Sequence, residues 1–283
     1  MKAPRHAYPY EATPGSAAVA GPLPLACAVI TRDEADNIGR CLASVAGLVR
    51  EIVVVDSGST DATCEIAREY GARVIHRDWT GFAAQKQFAM DQCSQPWLLS
   101  LDADEALEPA ARAAIEALFA GDSEPAHAGY EINRLTWYLG DWVRHTWYPE
   151  WRLRLVRRDR AAWRDYNGHD YLAVDGEVAR LGGHLLHYSY RNLEHHMQQS
   201  IHYARMSGLQ LAQGDRRIPI SKLFFSPLGR FIRLYLLKQG WRDGWRGVLL
   251  AFSSVMSGFL KYAFALEARQ ARDSAKTPPD GDS

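Results

Sequence analysis

Residues 97–105 read Trp-Leu-Leu-Ser-Leu-Asp-Ala-Asp-Glu: an apolar run that stops at three carboxylates within four residues, Asp102, Asp104 and Glu105. Residues 97–101 have the length and bulk of a buried strand. Outward from it, further short apolar runs at 26–30, 51–55 and 73–76 alternate with helical patterns. Ile38, Cys41, Leu42, Val45, Leu48 and Val49 recur at three- and four-residue intervals and place one apolar stripe on a helix. Thr60 or Asp61 is placed to cap a second helix, with Ile66 and Ala67, that stops at Gly71. Helices are also expected near 82–93 and over the alanine-rich 108–120, which Gly121 ends. Strands alternating with helices predict an α/β fold with a mostly parallel central sheet flanked by helices.

In an open parallel sheet, ligands bind at the carboxyl ends of the strands. Asp56 follows the second strand and Asp102 the fourth, so both are expected at one sheet edge. Two acidic loops without a Gly-rich cradle suggest a ligand whose phosphates are held through a metal. Asp102 and Asp104, two apart in an extended segment, are expected to face one cation, and all-oxygen ligation suits Mg²⁺ or Mn²⁺. The bland alternative is an acidic turn that opens the helix at Glu108. Residues 30–34 lack the glycines of a dinucleotide-binding turn or a pyrophosphorylase loop, and neither a Walker lysine motif nor a Gly-x-Ser-x-Gly elbow occurs.

Lys plus Arg and Asp plus Glu balance at 33 each over 283 residues, so no overall field points to nucleic acid. Cys27, Cys41, Cys64 and Cys93 form no Cys-x-x-Cys pair, which suggests neither disulfides nor structural zinc and favours a reducing cytoplasmic setting. The proline-punctuated residues 1–24 read as a flexible tail and not as a signal segment. Beyond 125 the segments shorten and become aromatic; Trp137, Trp142, Trp147, Trp151 and Trp163 suit either a core or sugar stacking. Arg152 and Arg154 share one face of a strand, where they can clamp phosphates of a donor or acceptor or pair with acids of the sheet.

Between 222 and 269, eight Lys or Arg stand against Asp243 and Glu267 among many aromatic rings. Basic and aromatic residues together suit an anionic cytoplasmic leaflet, and the alternative is a helical subdomain packed on the core. The longest charge-free run, 247–260, has 14 residues and is too short to cross a bilayer by itself.

Four motifs in order, ITRDEADNI, VVVDSGSTD, GFAAQKQFA and WLLSLDADE, resemble family 2 glycosyltransferases of the GT-A fold, over roughly residues 24–125. WYPEWRLRLVRR, LLHYSYR and LKQGWRDGWRG extend the likeness to bacterial enzymes that add a sugar to the inner core of lipopolysaccharide. The resemblance implies inverting transfer from a nucleotide diphosphate sugar, a UDP sugar, to a hydroxyl of a glycolipid or polysaccharide. It implies that Thr31 and Glu34 lie along the nucleotide, that Asp56 binds the base, that Lys86 sits near the diphosphate and that Asp102 contacts the ribose side. Asp104 would hold the metal together with His187, although a lone histidine behind two leucines is more often structural. Gln87 stands where relatives often have Asn.

Inversion requires a carboxylate to take the proton from the attacking hydroxyl. Asp170, in Asn167-Gly168-His169-Asp170, stands where relatives usually carry His-Glu; Asp165, Asp175 and Glu177 are the alternatives. The expected layout is a 1–24 tail, a 25–125 nucleotide-sugar half and a 126–215 acceptor and catalytic half. A 216–270 basic aromatic helical extension, in peripheral contact with the inner face of the membrane, and a 271–283 disordered tail complete it. Rival readings are a sugar nucleotidyltransferase and an inactive nucleotide-sugar-binding protein.

Overall fold

The computed structural model describes residues 21–121, 123–166, 169–214 and 217–274. Most of the two expected tails, together with Asn167 and Gly168 of the catalytic-loop motif, lie outside these residues. Two compact units form. The first takes the chain up to Leu135 and then Glu150–Tyr188; the second takes Thr136–Pro149 and the chain from Ser189 onward.

In the first unit, strands β1 (Leu23–Thr31), β2 (Val49–Asp56), β3 (Arg73–His76) and β4 (Trp97–Asp102) alternate with helices α1 (Ile38–Val45), α2 (Thr63–Glu69) and α3 (Phe82–Asp91). The four strands are parallel in the order β3-β2-β1-β4. Parallel strands covered on both faces are apolar almost throughout. Leu25, Cys27, Val29, Val54, Leu99 and Leu101 accordingly pack with Ile38, Leu42 and Val45 of α1 into one core cluster. Ala26, Ala28, Val53, Val55 and Leu98 face the opposite side, where α3 contributes Ala89 and Met90. Register pairs Thr31 with Asp56 and Ile30 with Asp102, which brings three strand ends level at one edge.

The expected helices form within a few residues of their predicted bounds, with one difference at α2. Thr63 opens that helix with Ala62 at its cap position, and the Asp61 carboxylate accepts from the Thr63 amide at 3.0 Å.

After β4 come β5 (Glu105–Leu107), α4 (Pro109–Leu118), β6 (Gly129–Tyr138), β7 (Asp141–Val143), β8 (Trp151–Arg157), β9 (Ala161–Tyr166), β10 (His169–Val174) and β11 (Val178–His187). The sheet continues from β4 as β8-β6-β11-β5, with antiparallel pairing of β8 to β4 and to β6, and of β11 to β5. The sheet is thus parallel at one side and antiparallel at the other, while β9 and β10 form a separate antiparallel hairpin. Gly183, in the left-handed region (φ 78°), lies against the backbone of α4: a Cβ there would stand 2.2 Å from the Ala111 nitrogen. Only glycine satisfies both demands.

In the second unit, β7 pairs with the Thr136–Tyr138 end of β6. Helix α5 (Leu193–Gln213) packs on α7 (Gly244–Ser274), and α7 packs on α6 (Lys222–Phe231). A π-helical turn, Ile232–Leu237, and a 3₁₀ turn, Gly240–Asp243, join α6 to α7. Gly208 of α5 lets the helices close, since a Cβ there would lie 2.6 Å from the Lys261 carbonyl. The C-terminal extension is helical, as expected. The 14-residue limit is corrected, because α7 runs past Lys261 and Gly240–Arg272 is long and apolar enough by length and composition to cross a membrane.

Candidate active site

The loops after β1 and β2 are laced together by side chains that cap each other's backbone. The Asp33 amide donates to Ser59 Oγ at 2.9 Å, the Thr60 amide to Asp33 Oδ1 at 2.7 Å, the Glu34 amide to Thr63 Oγ1 at 2.8 Å and the Ala35 amide to Asp61 Oδ2 at 3.1 Å. Asp33 adopts a left-handed backbone (φ 53°), and these bonds hold it there. The Asp56 carboxylate accepts from the Gly58 and Ser59 amides at 2.9 and 3.0 Å and so shapes its own turn. Glu34 accepts from Asn37 Nδ2 at 2.7 Å. Thr31 Oγ1 is buried and has no hydrogen-bond partner among the described residues. An orphaned buried hydroxyl is costly unless something arrives to pair with it.

A cavity of about 240 Å³ lies beside the end of β4 in the first unit, lined by Lys86, Asp102, Arg152, Arg154, Trp163 and Asp170 among others. Lys86 is buried on α3 and is not an ordinary solvated helix lysine. Its ammonium donates to Asp102 Oδ1 at 2.7 Å and Asp170 Oδ2 at 2.9 Å, and sits 4.6 Å from the centre of the Trp163 ring. Arg154 Nη2 donates to Asp102 Oδ2 at 2.7 Å and Glu105 Oε1 at 2.6 Å. Of the two roles open to the paired arginines, Arg154 thus takes the ion-pairing one. Arg152 stays half-exposed and donates to Glu150.

Glu105, to which no function attached in the sequence, is fully buried and organises this layer. It accepts from Arg154 and Arg134, and from the Asp102 amide at 3.1 Å. Its place behind Asp102 in an otherwise apolar strand was the available signal.

Asp102 and Asp104 do not face one cation. Asp102 ends β4 and points to Lys86 and Arg154, whereas Asp104 falls in the following turn, with Oδ2 3.3 Å from His187 Nε2. The turn between them breaks the two-residue alternation that a continuous strand would give. β5 and β11 pair through Glu105 and His187, and the Tyr188 amide donates to the Asp104 carbonyl at 2.9 Å, so two segments distant in sequence are fixed side by side. Among the described residues no three His, Cys, Asp or Glu side chains cluster as a complete metal site.

Asp170 begins the β9–β10 hairpin return and is half-buried at the cavity wall, while Asp165, Asp175 and Glu177 are exposed. Gln87 Oε1 accepts from the Trp163 amide at 2.8 Å, tying α3 to that hairpin. The five tryptophans divide. Trp151 and Trp163 line the cavity, Trp137 meets Trp142 edge to face, and Trp147 packs with Tyr138, Tyr190 and His196 in the second unit.

Burial pushes the Asp102 carboxyl up, but the charges of Lys86 and Arg154 outweigh it and hold the group well below the usual carboxylate range. Asp104 is likewise lowered, with burial opposed by His187. Lys86 and Arg154 rise in turn, because burial is outweighed by Asp102 at Lys86 and by Glu105 and Asp102 at Arg154. Asp102, Asp104, Lys86 and Arg154 are accordingly all ionised near neutral pH.

The chain is 33% identical over 271 residues to the lipopolysaccharide core biosynthesis glycosyltransferase LpsC of Rhizobium meliloti, covering 89% of this chain and 97% of that one. It is 27% identical over 245 residues to an uncharacterized glycosyltransferase of Rickettsia typhi, covering 83% and 84%. Among solved structures, it is similar to the mannosyltransferase PcManGT of Pyrobaculum calidifontis in complex with GDP-Man and Mn²⁺ (16% identity, TM-score 0.45, 90% of this chain and 76% of that one). It is also similar to TarS of S. aureus in complex with UDP-GlcNAc (13%, 0.44, 90% and 93%). The profile of glycosyl transferase family 2 matches residues 27–174, the span that carries all four motifs and the cavity. On that match and the near-full-length likeness to LpsC, the chain belongs to glycosyl transferase family 2, with its GT-A α/β fold, and is a glycosyltransferase.

Proposed function

We propose that this glycosyltransferase inverts the anomeric carbon as it moves a sugar from a UDP sugar to a hydroxyl of a glycolipid or polysaccharide, in the assembly of lipopolysaccharide core or a related envelope glycan. The observation that carries the reading is the convergence of Asp102, Lys86 and Asp170 on one cavity beside the Asp104–His187 pair. The likeness to LpsC over nearly all of both chains supports the acceptor class.

Thr31 offers its unpaired hydroxyl to the nucleotide, Asp56 and Glu34 line the same strand ends, and Asp102 takes the ribose side. Asp104 and His187 fit a divalent cation as two donors 3.3 Å apart, one carboxylate and one imidazole; donor phosphate and water would complete the shell. Mg²⁺ or Mn²⁺ bound there offsets charge on the departing diphosphate. Lys86 on the cavity wall and Arg152 at its edge are the protein's own cations for that charge, and Arg154 positions Asp102.

Asp170 is the base. It takes the acceptor proton as the hydroxyl oxygen bonds to the anomeric carbon and the bond to diphosphate breaks. The chain acts in the cytoplasm, peripherally at the inner face of the membrane. Incubation with a panel of nucleotide sugars, with and without Mn²⁺, should release UDP from one UDP sugar, faster with a glycolipid extract present. Release of pyrophosphate, or turnover of no nucleotide sugar, would overturn the reading.

A further inference from the structure

The second unit leaves large apolar side chains in solvent. Phe224 is 65% exposed, Phe225 71%, Leu237 75%, Trp241 and Trp245 each 55%, and Phe252 62%. Isolated exposed hydrophobic residues are ordinary, whereas a contiguous set marks a surface that meets a partner. Here they are periodic. Phe224, Leu228 and Ile232 recur one turn apart on α6 and its continuation, and Trp245, Val248, Phe252 and Phe259 form one stripe of α7. The other side of α7 is already used, with Leu250, Ala251 and Ala265 buried.

Charge on the same stretch has one sign. Residues 217–242 contain six Lys or Arg and no Asp or Glu. The next acid, Asp243, turns inward: its carboxylate accepts from the Arg144 and Thr146 amides at 3.0 and 2.8 Å and from the His145 ring at 2.8 Å, and its side chain is 4% exposed. Aromatic rings interleaved with uncompensated cations are complementary to an anionic headgroup layer over acyl chains. An acidic soluble partner would satisfy the cations but leave Phe225 and Leu237 wet.

We infer that α6, the π-helical turn and the exposed stripe of α7 form a docking surface for an anionic lipid bilayer, lying in the interface plane. Although Gly240–Arg272 satisfies the length and apolarity of a spanning helix, α5 packs along it, and α5 carries Glu194, Gln198, Gln199, Arg205 and Gln210. Those side chains cannot follow α7 into hydrocarbon without a large cost. The inference locates the membrane contact of the proposed function, yet it is tested without catalysis.

The full chain is to be co-sedimented with vesicles of phosphatidylcholine containing about one-third phosphatidylglycerol, and with phosphatidylcholine alone. Binding should require the anionic lipid, fall at molar salt and be released by alkaline carbonate. Arg230→Glu and Arg233→Glu should each weaken it about fivefold or more. Phe225→Ser/Leu237→Ser/Trp241→Ser should weaken it more than tenfold, with an unchanged circular dichroism spectrum and unchanged hydrolysis of a soluble nucleotide sugar. Equal binding to neutral vesicles, resistance to carbonate, full binding by the triple variant, or a concentration-dependent dimer abolished by the triple variant without vesicle binding would overturn it. If vesicle binding holds while no nucleotide sugar is turned over, the functional reading fails and the docking surface stands.

Discussion

Glu105 has no solvent exposure and depends on its partners. Arg154 and Arg134 donate to one carboxylate oxygen and the Asp102 amide to the other. Removing a partner from a buried ion pair strands the remaining charge, which costs about 3–5 kcal/mol. Arg154→Met should therefore lower the urea-unfolding free energy by about that amount, and Glu105→Gln/Arg154→Met should lose less than the sum of the single changes. Asp104→Ala should abolish stimulation of donor turnover by Mn²⁺, and His187→Ala should weaken Mn²⁺ binding about tenfold or more by calorimetry; metal response unchanged in both would remove the pair from the mechanism. The separate surroundings of Asp102 and Asp104 were half legible. Their placement after a buried strand follows from the apolar run, but their divergence depends on a turn at Ala103 and Asp104 and on a histidine 83 residues away. Pairing between β5 and β11 brings that histidine in, and no local pattern encodes it.

Among the elements, β1 to β4 were readable from short apolar runs, α1 from its periodic stripe, and α2 and α4 from cap signals, alanine content and the glycines that stop them. β8 was legible from its alternating arginines, whereas β9 to β11 were not, because their charged, aromatic and small side chains follow no single period. The helices of the second unit also carry a titratable contact. His196 of α5 is 1% exposed, its Nδ1 shares a 2.7 Å hydrogen bond with the Tyr138 hydroxyl, and burial, with a smaller contribution from His195, pushes it down to about 4. A histidine lowered in the folded state favours its neutral form. The stability it lends is complete above the unfolded value of about 6.5 and is lost as pH falls towards 4. Thermal or urea unfolding should show a loss of about 2 kcal/mol between pH 7 and pH 5, and His196→Gln should flatten that window. An unchanged slope in the variant would assign the pH dependence elsewhere.

Across the whole chain, two compact units are woven from alternating segments, so residues 136–149 belong with the helices that begin near 193. Composition marks the second unit as basic and aromatic, yet the return of the chain at Glu150 into the first unit has no signature in sequence. That return supplies β8, β9 and β10, and with them Arg154, Trp163 and Asp170 on the cavity. The proposed removal of the acceptor proton by Asp170 in transfer from a UDP sugar predicts the effect of Asp170→Asn, a change that keeps shape and removes the base. Transfer of labelled sugar to a glycolipid extract should fall by at least about a hundredfold, with UDP and Mn²⁺ affinity within about twofold of the parent. Near-normal transfer by Asp170→Asn would eliminate Asp170 as the base.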